Sequence, residues 1–240
     1  MNPTDTQPAS TDRFARTAIV ATVAFVALLG LLHVVKSQLD PSWHFISEYA
    51  IGTHGWIMIT AFSSLAVAYV ALAGALRPHL GGRIGLLGRL SLYVSALGLL
   101  IAAAFVTDPV TATNHTVHGV LHNVGGTLGI AMPIAAGIIG WRLSTQPAWR
   151  AHRRSLRVIS LVAVFASVAA AASIAMTAAA RGNTFGPDVH IGWPNRLDIL
   201  ASCGWLLATA RATIDVARHA PPSGRRATTA RPRARHLVSQ

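Results

Sequence analysis

Residues 55–76 read GWIMITAFSSLAVAYVALAGAL, a stretch without one Asp, Glu, Lys, Arg or His. About 20 predominantly apolar residues suffice to cross the hydrocarbon core of a bilayer. Backbone at that depth has no water to bond, so it must satisfy itself as a helix. Working outward, five further predominantly apolar runs, each with one or more ionisable residues, occur at about 14–35, 84–106, 117–141, 156–180 and 196–216. The expected fold is therefore all-α, an integral-membrane bundle of six helices. The connections are short and rich in Pro, Gly, Asp and Arg, which leaves no room for a separate soluble domain. Residues 1–13 are expected as a cytoplasmic N-terminal segment and 14–216 as the transmembrane domain. Residues 217–240, rich in Arg, Pro and Ala, have little to bury and are expected as a basic disordered cytoplasmic tail.

Charge supports the same class. The chain holds 20 Lys and Arg against 8 Asp and Glu, a net charge of +12. Such an excess raises nucleic-acid binding as a class, yet the arginines sit between apolar runs and are not interleaved with an aromatic reading surface, so no nucleic-acid partner is expected. Topology accounts for the charge, because cytoplasmic loops retain Lys and Arg. With the amino terminus inside, only Lys36, Arg181 and Arg196 fall outside, which places both termini in the cytoplasm of a multi-pass cell-membrane protein. Trp43, Trp56 and Trp193 then mark the outer boundary, and Trp141 and Trp149 the inner one. The first apolar run is longer than a signal-peptide core and lacks a small-x-small cleavage pattern, so it is read as a retained anchor. Cys203 is the only cysteine, which excludes an intrachain disulfide and a thiolate zinc site.

Small residues predict close helix contacts in lipid. The fourth run carries Gly125, Gly126, Gly129, Gly137 and Gly140, and the fifth carries alanines at 169–172 with Ser173, Ala175 and Ala178. Pro133 predicts a kink inside the fourth run.

Polar residues that a membrane discourages collect at the outer ends of the helices. They are Asp40, Glu48, Asp108, Asp188 and Asp198 with His33, His44, His54, His115, His118, His122 and His190. The loop DPSWHFISEYAIG at 40–52 predicts a short interfacial helix capped by Ser42. There Glu48 either turns toward the bundle mouth or faces water while Trp43 and Tyr49 anchor the loop. His118 and His122 are four residues apart, a spacing that suits two metal ligands or a proton relay, and equally two structural hydrogen bonds. Together with Asp108 and a water they would hold a divalent metal such as zinc, lowering the pKa of that water toward 7. Gly119, Val120 and Leu121 stand between the two histidines, so the metalloprotease form of this motif is absent. The stretch GPDVHIGWPNRLDI at 186–199 brings Arg196 to the outer end of the last helix, where it could pair with Asp108 or Asp198. Ser47, Glu48, Asp108, Arg196 and Asp198 form the candidate catalytic set. Glu48 would act as general base, with Ser47 or Arg196 stabilising an oxyanion.

The segments ISEYAIGTHGWIM at 46–58 and FVTDPVTATNHTVHGVLHNVGG at 105–126 resemble a prokaryotic multi-pass membrane family named for its domain of unknown function 998. The resemblance extends over about 14–216 and implies a multi-pass helical bundle, without supplying an activity. Ser47, Asp108, His118 and His122 are also weakly similar to the zinc site of alkaline-ceramidase-like membrane hydrolases. That site combines a Ser, an Asp and three His at one end of a seven-helix bundle. This chain departs from it in having six helices and only His190 as a third ring.

Three functional classes follow. One is an outward-facing His/Asp/Glu pocket that binds or hydrolyses an amphipathic or lipid-like molecule, with membrane lipid as partner and a metal-dependent hydrolase as its enzymatic form. Another is a transporter or proton-coupled carrier. The third is a non-catalytic sensor or assembly partner. Oligomeric state, substrate and metal stay open at this level.

Overall fold

The computed structural model describes residues 6–182 and 184–219. The expected basic tail, beyond residue 219, lies outside the described residues. Among these residues the chain forms seven α-helices and no strand: α1 (Thr6–Val35), α2 (Gly55–Ala75), α3 (Gly82–Ala104), α4 (Val117–Leu128), α5 (Ala131–Ser144), α6 (Arg153–Arg181) and α7 (Gly192–His219). Short 3-10 turns lie at Ile46–Ala50 and Pro147–His152. Six segments are long and apolar enough to cross a membrane, with α4 and α5 together making the fourth. An even number of crossings returns the chain to the side from which it began.

Each span packs against the next, and α7 closes the ring against α1. The core runs along α2, where Met58, Leu65 and Leu72 meet Phe25, Leu32 and Trp205 without exposure. The outer surface is equally apolar: Val158, Leu161, Phe165, Val168 and Met176 of α6 are all exposed. An apolar exterior around a sealed core is what lipid demands. Since lipid gives helix faces no hydrophobic reason to associate, close backbone approach has to do that work. A Cβ on Gly125 would stand 2.6 Å from the carbonyl oxygen of Gly98, and one on Gly98 would stand 2.5 Å from that of Gly125. Only glycine on both sides permits this α3–α4 crossing. Gly140 likewise admits Ser160 of α6, whereas Gly126 faces open space. Of the alanines at 169–172 only Ala170 is buried.

Three expectations are corrected. The fourth span breaks before Pro133, at Gly129 and Ile130. Proline has no N–H to reach the carbonyl one turn back, so that of Gly129 accepts from Met132 N–H at 2.9 Å and the turn tightens. Helix α1 starts at Thr6 and α7 runs to His219, past the boundaries of 14 and 216 that hydropathy set. Trp149 is fully buried with its ring edge-on to His79 at 5.2 Å, so it is a core residue and no boundary anchor. Trp56, Trp193 and Trp141 are exposed.

Candidate functional site

The loop after α1 is set first by Asp40. Its carboxylate accepts the Ser42 N–H at 2.8 Å, an Asx turn that uses the position expected to cap a helix. These bonds hold the Asp40 carboxyl below the ordinary carboxylate range. The helical turn therefore starts at Ile46, and Glu48 folds back over it. Glu48 Oε2 accepts the Phe45 N–H at 2.9 Å and the His44 Nδ1–H at 3.1 Å. Oε1 accepts the Val110 N–H at 2.9 Å, which ties this loop to the one between α3 and α4. Glu48 is 3% exposed, so it faces neither water nor an open mouth. Ser47 is half-buried in the same turn.

The last span supplies the other half. Gly192 N–H donates to Ser42 O at 2.9 Å, and a Cβ there would lie 2.3 Å from Pro41 O. Pro194 occupies the first turn of α7, where a missing N–H costs nothing. Asn195 Oδ1 accepts the Ile46 N–H at 3.1 Å. One residue on, Arg196 enters the bundle and is 5% exposed. Its Nη1 donates to the carbonyls of His44 at 2.7 Å and Gly192 at 3.1 Å, and Nη2 donates to Tyr49 Oη at 3.2 Å. Its Nε donates to His33 Nε2 at 3.0 Å, while His33 Nδ1 bonds Leu29 O at 2.8 Å. That arrangement assigns the proton of His33 to Nδ1 and the lone pair to Nε2. Tyr49 completes the group, its ring 5.1 Å from that of His33 and 5.7 Å from the guanidinium carbon.

Arg196 thus pairs with neither Asp108 nor Asp198. Residues two apart do not share a helix face, so Asp198 turns to α6 and accepts from Ser167 Oγ. Asp108 accepts Thr116 N–H at 2.8 Å and Thr116 Oγ1–H at 2.7 Å, and Thr116 Oγ1 in turn accepts the Gly119 N–H at 3.0 Å. Asp108 and Thr116 together cap α4, and the same bonds hold the Asp108 carboxyl below its ordinary range.

The two histidines of α4 part company. His122 is buried, and its Nδ1–H donates to the carbonyls of Phe105 at 2.8 Å and Ala102 at 3.1 Å, which the end of α3 leaves without helical partners. His118 is exposed, its ring edge-on to Phe105 at 5.5 Å, and His190 is exposed on the loop before α7. Among the described residues no group of three or more His, Cys, Asp or Glu side chains is placed to hold a metal ion. The expected set of His118, His122 and Asp108 does not fit one, because Asp108 is spent on Thr116 and His122 on α3. What the fold does assemble is a closed polar lattice of His33, His44, Glu48, Tyr49, Asn195 and Arg196 at one end of the bundle. His118, Trp56 and Trp193, in the first turns of α4, α2 and α7 at this end, are exposed.

Six apolar spans closed into a ring, with the buried Glu48 and Arg196 gathered at one end, define a polytopic membrane protein. The chain belongs to the family described as protein of unknown function (DUF998), whose model matches residues 19–212. That match runs from within α1 to within α7 and includes every residue of the lattice. Neither a curated protein nor a solved structure matches the chain.

Proposed function

We propose that this is a cell-membrane protein whose arginine-rich side faces the cytoplasm with both chain ends, and whose lattice-bearing side faces outward to bind the polar head of an amphipathic or lipid-like molecule. The orientation rests on Arg77, Arg83, Arg142, Arg150, Arg153 and Arg154 lying at the ends opposite the lattice. Binding without turnover is favoured by one observation above others: both oxygens of Glu48 accept backbone N–H groups, and its side chain is almost fully buried. A general base needs a lone pair facing the reacting molecule. The exposed Trp56 and Trp193 suit headgroup depth.

The test is native mass spectrometry of protein taken from the membrane in mild detergent, beside an assay of lipid esters and amides. A retained amphiphile, lost in His118→Ala, with no product formed is the expected result. Hydrolysis abolished by Glu48→Gln would overturn binding without turnover.

A second reading, a proton-coupled carrier, is supported by Asp198. Its place in α7, bonded to Ser167 midway along α6 and within electrostatic reach of Tyr69 and Cys203, puts an ionisable group inside a span. Proteoliposome uptake that responds to a pH gradient and is lost in Asp198→Asn would make this the better reading.

A further inference from the structure

We propose that the four arginines at the start of α6 form a binding site for the phosphodiester headgroup of an anionic phospholipid. Arg150, Arg153, Arg154 and Arg157 line one open surface cavity of about 490 Å³, together with Ala151 and Val158. No acidic residue lies in the first turn of α6. Four like charges gathered at the positive end of a helix macrodipole repel one another and the helix itself, so an anion is the missing component. Asp215, the acid beside this region, stands 3.8 Å from His152 Nε2, and no arginine of the cavity pairs with it.

Two of the arginines are fixed in advance. Arg153 Nε donates to Ser144 O at 2.8 Å and Arg157 Nε to Ser144 Oγ at 3.2 Å, and Ser144 is fully buried. These bonds use Nε alone and leave the Nη groups of both for a phosphate, which arginine binds through two parallel donors. Arg150 and Arg154 are exposed and make no side-chain hydrogen bond among the described residues. The occupant is distinguished as a lipid by what continues from the cavity. Val158 forms its wall, and the exposed Leu161, Val162 and Phe165 carry an apolar track along α6, the least buried span. A free anion or a nucleotide has nothing to lay there. Basic pockets at the end of a span, at headgroup depth, suit this chemistry.

The experiment uses full-length protein in detergent and measures retention of phosphatidylglycerol against phosphatidylcholine by native mass spectrometry, with inorganic phosphate as competitor. Retention of phosphatidylglycerol is expected to exceed that of phosphatidylcholine. The variant Arg150→Ala, Arg154→Ala is expected to weaken it about 30-fold, from two surface arginines at headgroup depth. Arg77→Ala, Arg83→Ala, on the same side and outside the cavity, is expected to leave retention intact. Equal loss in both double variants would show diffuse surface charge and overturn the site. Equal retention of the two lipids, or displacement by millimolar phosphate as effective as by phosphatidylglycerol, overturns the lipid assignment. Should the first double variant lose its thermal transition, Arg154→Gln alone, expected at about 5-fold, decides the matter.

Discussion

Arg196 Nε donates to His33 Nε2 across 3.0 Å, joining the last span of the bundle to the first. The guanidinium is buried and all its acceptors are neutral, so its charge is stabilised by carbonyl and ring dipoles and by the face of Tyr49. Removing it leaves the carbonyl of His44 and the ring of His33 without their donor. Arg196→Ala is expected to lower stability by roughly 3 kcal/mol. Arg196→Lys should recover only part of this, since an ammonium cannot span His33 and Tyr49 together. Thermal unfolding in detergent reads both variants, and an unchanged midpoint in Arg196→Ala would remove the lattice from any account of closure.

Glu48 joins two loops through three donors. In Glu48→Gln one oxygen becomes an NH2 group that must face either Val110 N–H or the Phe45 and His44 donors, at a cost of about 1–3 kcal/mol. Faster hydrogen exchange at the amides of Phe45 or Val110 is the expected signature. Protection equal to wild type at both would mean that the carboxylate does not link the loops.

Neighbouring glycines of α4 should differ sharply. Gly125→Ala drives a methyl into the backbone of α3 and is expected to destabilise by about 1–3 kcal/mol, while Gly126→Ala meets nothing within 4 Å and should be neutral or slightly stabilising. Similar melting of the two variants would contradict the α3–α4 crossing.

His79, in the connection between α2 and α3, has its pKa lowered from 6.5 by burial, and its Nε2 is buried without a partner among the described residues. The folded protein then binds fewer protons here than the unfolded chain. This group's effect on stability is absent well above pH 6.5, becomes a loss as pH falls through 6.5, and levels off below the folded value. His79→Phe keeps a ring against Trp149 and cannot titrate, so its melting temperature should fall less than that of wild type between pH 7.5 and 5.5. Parallel pH profiles would assign the acid sensitivity to other groups.

The spans were legible because hydrophobic length is a one-dimensional property that 55–76 carries in itself. The break in the fourth span was legible only roughly: Pro133 announces a kink, but the tightened turn falls at Gly129 and Ile130, one turn earlier. The outer polar cluster could be read as a set, whereas its pairings could not. His33 and Arg196 are 163 positions apart, and nothing local to either names the other. The spacing of His118 and His122 looked like a ligand pair because periodicity gives the face and says nothing of what lies opposite. The end of α3 presents bare carbonyls there, and His122 answers them. Asp198 lies near the start of the last span and reads as a boundary residue, and Ser167, its partner, carries no mark in an apolar run.

The ring is closed by α7, which is made after the five spans before it. At roughly 5–20 residues per second, Arg196 leaves the ribosome about 8–30 s after His33. Throughout that interval the 37–54 loop and the end of α1 lack the donor that holds them, and Pro41 O and Ser42 O lack the backbone of Gly192. Sealing of the lattice end is therefore a record that synthesis has reached the sixth span. Chains stopped before residue 192 are expected to expose the 37–54 loop to protease, and the 240-residue chain to protect it.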